Sequence, residues 1–319
     1  MATVAGLPDP LERFGPLLPG ETGLAKRLRF HQSWYRSDVL AIPDFGSTPG
    51  PASRPLGSIL PIDAAFQGRN FTSRSAERLY VQRRAQGWGV DPVRCTQYLT
   101  SSQALTLNFL GPLFAARGWL LRTLSSLLDR SDVLDVEFAG VEHAPIRRSQ
   151  FLGDMTRVDA FIIIRCSNGY EAIVLEFKYT DRFNSREVQI FDQPKYRALA
   201  AETAMWKNFE EVAVQRKFNQ LVRCHALGAA MLQCESPSGR LTTLLAVHHE
   251  KDARASQLLA DYRSHLSEPA RAGSLTLAVL CDHMAKTANV QQLEAVEALR
   301  TRYANETASE HWWQAMVRA

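Results

Sequence analysis

The chain has 319 residues, of which 45% are hydrophobic and 22% charged, with a formal net charge of +4. This is an ordinary globular composition, long enough for one large domain or two smaller ones. No run approaches the roughly 18 apolar residues that span a bilayer, and the Pro/Gly-rich stretch from Met1 to Gly20 does not read as a signal peptide, so a cytoplasmic protein with no membrane partner is expected.

The five cysteines, Cys95, Cys166, Cys224, Cys234 and Cys281, are scattered and form no CxxC pair. A disulfide framework or zinc knuckle needs closer, repeated spacing, so reduced thiols are expected.

Residues 1–23 read as a weakly ordered lead-in. Leu24 to Leu40 predicts a short helix carrying Lys26, Arg27, Arg29 and Arg36. The Pro/Gly/Ser-rich stretch from Ala41 to Gly57 predicts a loop. Phe71 to Gln86 has helical character and ends near Gly87-Trp88-Gly89. From Lys26 to Arg94 there are eleven Lys/Arg against five Asp/Glu. A basic surface of this kind suits a polyanion, although charge alone is equally a solvated face.

Ser101 or Ser102 is a candidate N-cap for a helix interrupted at Gly111-Pro112, with another from Leu113 to Leu128. Leu134 to Val141 is a candidate strand, followed by strong strands at Val158–Arg165 and Glu171–Lys178. Helices are expected at Gln193–Ala204 and, unbroken, at Glu210–Leu232. Leu241–His248 and Ser274–Leu280 read as strands, and Val290–Asn305 as the last helix. The mixed order predicts an α/β domain, a central sheet flanked by helices.

The segment from Thr156 to Lys178 carries the most information. Two β-branched apolar runs flank Asn168-Gly169, a pair that favours a two-residue type I′ turn. That turn pairs Ser167 with Tyr170, so Asp159 faces Lys178 and Glu176 lies diagonal to Asp159. Side chains alternate along a strand, which puts Asp159, Glu176 and Lys178 on one face at one end of the hairpin. An unpaired buried charge costs several kcal/mol. Such a cluster is therefore either a structural ion pair at the sheet rim or a site for a hard divalent cation between two carboxylates.

The pattern resembles the PD-(D/E)XK nuclease superfamily, whose signature is an acid on one core strand and (D/E)-x-K on the next: here Asp159 and Glu176-Phe177-Lys178. Asn70-Phe71, Ser101-Ser102-Gln103, Asn108-Phe109, Gly153 to Thr156, Lys178 to Asp181 and Gln220 to Arg223 are similar to a bacterial, restriction-endonuclease-like branch. The name-giving proline is absent, since Val158 precedes Asp159. The resemblance implies a restriction-endonuclease-like central mixed sheet flanked by helices. It divides the chain into the lead-in, a basic helical and loop N-terminal extension at 24–94, and a nuclease domain at 95–319.

The implied chemistry is hydrolysis of DNA phosphodiesters with Mg²⁺, for which Mn²⁺ substitutes. Asp159, Glu176 and the Phe177 carbonyl would bind the metal, and Lys178 would act on the attacking water and the phosphate. Restriction or defence against foreign DNA is the implied setting, and a homodimer is one allowed assembly. The alternatives are an RNA-directed nuclease and a non-catalytic nucleic-acid-binding or scaffold protein that keeps the fold.

Some members add an upstream acid, for which Glu137 and Glu142 are candidates, each otherwise a solvated residue. Arg216, Gln220 and Arg223 share a stripe on the expected 210–232 helix and are candidate substrate contacts, as is Gln103. The ordinary reading of the stripe is an exposed helix face. His248-His249-Glu250 reads as a strand end, and Trp312-Trp313 as packing residues.

Overall fold

The computed structural model describes residues 10–87, 89–145, 148–181, 183, 187–235, 239 and 241–318. Residues 1–9 of the expected lead-in, and Trp88, lie outside them. Five strands form one sheet in sequence order: β1 (Val133–His143), β2 (Val158–Cys166), β3 (Gly169–Phe177), β4 (Leu241–His248) and β5 (Ala272–Thr276). The first three are antiparallel, and β4 and β5 run parallel to β3. Helices of nine residues or more are α1 (Gly23–Trp34), α2 (Arg74–Ala85), α3 (Ser102–Ala115), α4 (Arg117–Leu128), α5 (Pro194–Thr203), α6 (Asn219–Glu235), α7 (Ala253–Ser264), α8 (Leu277–Thr287), α9 (Val290–Leu299) and α10 (Glu310–Arg318). This is the expected α/β fold, a mixed sheet between helices.

Strand alternation divides the core. Ala160, Ile162, Ile164, Ile173, Leu175 and Phe177 pack with residues of α3, α4, α8 and α9 such as Phe109, Leu124, Met284 and Leu299. Phe161, Ile163, Ala172 and Val174 pack with Tyr196, Leu221, Val222 and Leu259 from α5, α6 and α7. Gly228 lets α6 lie directly on β3, since a Cβ there would stand 2.3 Å from Val174 Cγ2.

Several boundaries differ from expectation. The α3 helix runs through Gly111-Pro112 and stops at Ala116, because Gly111 packs on the backbone of Ala76, where a Cβ would lie 2.4 Å from its Cα. The expected strand at 274–280 is the short β5 followed at once by α8, whose N-cap is Thr276. The expected 210–232 helix is broken into Phe209–Ala213, a 3₁₀ turn at Arg216–Phe218, and α6.

The hairpin register also differs. Cys166 pairs with Gly169 and Ala160 with Leu175. The turn is therefore Ser167-Asn168, neither of which has positive φ, and Gly169 (φ +124°) opens β3. The type I′ turn expected at Asn168-Gly169 does not form. Relative to expectation, each β2 residue faces a partner two positions earlier on β3. An even shift leaves every side chain on its expected face.

Of the eleven Lys/Arg from Lys26 to Arg94, Arg54, Arg69, Arg74, Arg78, Arg84 and Arg94 are exposed, Lys26 and Arg83 are half-buried, and three are internal. Arg27, Arg29 and Arg36 are buried. Arg27 Nη2 donates to the Glu306 carbonyl at 2.7 Å, and Arg29 Nε pairs with Glu21 at 2.6 Å. Gln32 donates to the Tyr179 hydroxyl at 2.8 Å and the Arg302 carbonyl at 2.7 Å. Helix α1 is thereby joined to the C-terminal segment beside the end of β3. Trp312 and Trp313 pack with Phe14 and Phe30. Among the described residues, no single helix is long and apolar enough to cross a membrane.

Candidate active site

One end of the sheet brings three carboxylates into a row. The pairs Val141–Ala160 and His143–Val158 bracket Glu142 and Asp159, which therefore face each other across β1 and β2. Continuing the Ala160–Leu175 register by one step sets Asp159 opposite Glu176. The two expected metal acids are direct cross-strand neighbours, a closer relation than the diagonal one read from the sequence. Directly opposed side chains stand about 5 Å apart at Cβ.

Each member of the row is held. Asp159 Oδ2 accepts the backbone N–H of Phe177 at 2.7 Å. Lys178 Nζ donates to Glu176 Oε1 at 2.8 Å, and the side-chain amide of Gln220 donates to the same oxygen. Cys224 Sγ lies 3.5 Å from Glu176 Oε2. Arg83 grips the end of β1, donating to the carbonyls of Val141 (3.0 Å) and Glu142 (2.8 Å). Glu142 itself has φ +46°, an unusual backbone for a residue with a side chain. Its carboxylate is buried, 3.7 Å from Arg157 Nε, and its Oε1 has no hydrogen-bond partner among the described residues.

The electrostatics follow from burial. Desolvation raises the Asp159 carboxyl well above its ordinary range, and the charges of Glu176 and Glu142 raise it further. Desolvation likewise lifts Glu142 to about 7; Arg157 opposes this and Glu176 adds to it. For Lys178, burial disfavours the charge, but Glu176 and Asp159 outweigh it and raise the pKa above the usual lysine value. Two acids that resist ionisation, beside a third and a firmly charged lysine, form a site short of positive charge. An orphaned buried carboxylate oxygen and an all-oxygen donor set fit a hard divalent cation.

The other candidates sit as follows. Glu137 is exposed and pairs with Arg165 at 2.9 Å, so of the two upstream candidates Glu142 is the one that stands in the row. Phe177 turns its ring to the opposite face, onto Phe109, while its amide holds Asp159. Gln103 donates to the Gly89 carbonyl at 3.0 Å and accepts from Asp91 N at 3.1 Å, and its side-chain amide also reaches Glu142, where a hydrogen bond opposes the rise of that carboxyl's pKa.

The expected stripe of Arg216, Gln220 and Arg223 does not exist as one exposed face. Arg223 is buried and pairs with Asp154 at 3.0 Å, and Asp154 also accepts from the Tyr196 hydroxyl. Gln220 points at Glu176. Arg216 lies on the 3₁₀ turn, 74% exposed, 3.4 Å from Glu187. The break in the helix separates it from the other two.

A second group, His249, Glu250 and Glu306, brings potential ligand atoms within 4.8 Å of one another. His249 Nδ1 accepts the Lys251 backbone N–H at 3.2 Å, which leaves the ring proton of a neutral histidine on Nε2, the atom facing the carboxylates. A ligating histidine donates from its other nitrogen instead. Lys251 already neutralises Glu306 at 2.5 Å. His249 Nε2 is, like Glu142 Oε1, buried without a hydrogen-bond partner among the described residues, but the Nδ1 contact and Lys251 set this group behind the Glu142–Asp159–Glu176 row as a candidate cation site.

A family model described as the PD-(D/E)XK nuclease superfamily matches residues 19–305, and the chain belongs to that family. The mixed five-stranded sheet is the fold expected of it. Membership implies a nuclease, with a nucleic-acid substrate and a divalent metal. No curated protein and no solved structure matches the chain.

Proposed function

We propose that the protein is a Mg²⁺-dependent deoxyribonuclease, with Mn²⁺ as a substitute, that hydrolyses phosphodiester bonds at the Glu142–Asp159–Glu176 row. The observation that carries this reading is the row itself. It comprises three buried or half-buried carboxylates on adjacent strands, one with an unpartnered oxygen, beside a charged lysine. Asp159, Glu176 and Glu142 would hold the ion, with the Phe177 carbonyl as a further oxygen. A divalent cation there supplies Lewis-acid chemistry to a phosphate ester. Lys178, fixed by Glu176, faces the scissile group and offsets negative charge that develops on it. Gln220 orients Glu176, and the Phe177 amide orients Asp159. The reading extends to restriction or defence against foreign DNA on family resemblance alone.

The test is incubation of the purified protein with plasmid, linear duplex, single-stranded DNA and RNA, in Mg²⁺, Mn²⁺ or EDTA. Metal-dependent loss of DNA, absent in Glu176→Gln, is the expected result. Preferential loss of RNA would reassign the substrate. Intact polynucleotides under all conditions would leave a binding or scaffold protein.

A further inference from the structure

A groove of about 870 Å³ opens where β3 and β4 end, on the Lys178 side of the site. Its near wall is the segment that follows Lys178: Tyr179, Thr180, Asp181 and Phe183. Lys178 Nζ lies 5.5 Å from the centre of the Phe183 ring, and that ring lines the groove, so the groove adjoins the lysine. The carboxyl ends of parallel strands are where open α/β sheets receive ligands.

The far wall is cationic. Arg216 and Lys217 come from the 3₁₀ turn, and Lys251 and Arg254 from the start of α7. The two acids in the lining are occupied locally: Asp252 caps α7 at Ala255 N (3.1 Å), and Asp181 accepts from Ser102 Oγ (3.2 Å). Arg216, Lys217 and Lys251 are at least half exposed and hold ion pairs with Glu187, Asp261 and Glu306. The exposed Arg216 and Lys217 pairs contribute little and exchange readily for another anion, whereas Lys251 stays with the buried Glu306. Arg254 is exposed and has no hydrogen-bond or ion-pair partner among the described residues. The N-termini of α1 and α7 also face this groove, and their aligned peptide dipoles favour an anion.

We infer that this groove seats the phosphodiester backbone of a polynucleotide leaving the active site on the Lys178 side, with Arg254 as a direct phosphate contact. The inference rests on the nuclease reading and adds the path of the substrate. The cations come from segments that are distant in sequence from the catalytic hairpin. The groove collects them because α7 starts where β4 ends.

The test is a binding titration of the full chain with a labelled 30-base-pair duplex and the corresponding single strand, at several salt concentrations. Ca²⁺ replaces Mg²⁺ to suppress cleavage. Each phosphate contact adds about 0.9 to the slope of log affinity against log salt on duplex, and about 0.7 on single strands. Arg254→Ala should flatten the slope by about one contact, and Arg254→Lys should keep it. Arg263→Ala, at the opposite end of α7, is the control and should keep it too. A wild type that binds and cleaves, with Arg254→Ala indistinguishable from Arg263→Ala, would overturn the groove and leave the nuclease reading intact. Binding that depends on Arg254 without cleavage of any polynucleotide would uphold the groove and overturn the nuclease reading. A wild type that neither binds nor cleaves would overturn both.

Discussion

Glu142 stands opposite Asp159 between β1 and β2, and both carboxyls are pushed up in pKa by burial and by the charge of Glu176. The row is thus a store of unfavourable charge in the metal-free protein, and four expectations about the site and its supports follow from the contacts around it.

Asp159→Asn and Glu176→Gln remove one charge each while keeping shape. Both should fold and lower the rate of DNA cleavage by at least about a thousandfold, on the order of 4 kcal/mol of transition-state stabilisation. Lys178→Ala should lose turnover but retain Mn²⁺ binding, since an ammonium is not a ligand. Cleavage rates and Mn²⁺ titrations on the same preparations check this, and variants as fast as wild type would refute the site.

The raised carboxyls set a pH dependence with a definite sign. A group whose folded pKa exceeds its unfolded value contributes stability at low pH and loses it as pH rises through the folded value. For Glu142 that window runs from its ordinary 4.5 to about 7. The metal-free protein should lose stability across it, and a divalent ion, which favours the ionised row, should restore it. The rise in Tm on adding saturating Mn²⁺ should therefore be larger at pH 8 than at pH 5. Equal rises at the two pH values would show that the row does not bind the ion.

His225 makes the opposite prediction. It is fully buried, with Nε2 against the Thr242 carbonyl at 2.9 Å and Nδ1 against the Tyr262 hydroxyl at 3.1 Å. Both contacts suit the neutral ring, and burial lowers its pKa from 6.5 to about 4. The unfolded chain takes up the proton first, so stability should fall as pH drops from about 6.5 towards 4, by up to about 3 kcal/mol from this one group. Urea midpoints of wild type and His225→Gln measured from pH 8 to pH 5 test it: the variant should start lower and fall less. Parallel curves would remove His225 from the account.

Arg223 and Arg216, read together from the sequence, should now behave differently. Arg223→Ala leaves Asp154 without its buried partner and should cost about 3 kcal/mol of stability. Arg216→Ala removes an exposed pair and should stay within about 0.5 kcal/mol. Denaturant unfolding of the two variants distinguishes them. Similar small losses would mean that the Arg223–Asp154 pair supports nothing.

The candidate catalytic hairpin was legible in the sequence because it is local. Two apolar runs joined by a tight turn can pair in few ways, and side-chain alternation puts Asp159, Glu176 and Lys178 on one face under either turn. The α/β class was legible for a related reason: element type follows from periodicity within each segment. Element ends were less so. Pro112 continues a helix because Gly111 is packed on Ala76, a contact from another part of the chain.

What only the tertiary structure decided is which groups complete the site. Glu142 joins the row through the register of β1, and the connection from His143 to Val158 is too long to specify that register from composition. Gln220 reaches Glu176, and Arg223 turns to Asp154, because α6 begins at Asn219 and lies against β3 through Gly228. Buried charges take partners from whatever element packs over them, since leaving them unpaired costs more than a helical stripe contributes. The sequence alone determined the pair of strands and its three charged residues. The packing of β1, α6 and α7 around that pair decided the third acid, the orienting amide and the cationic groove.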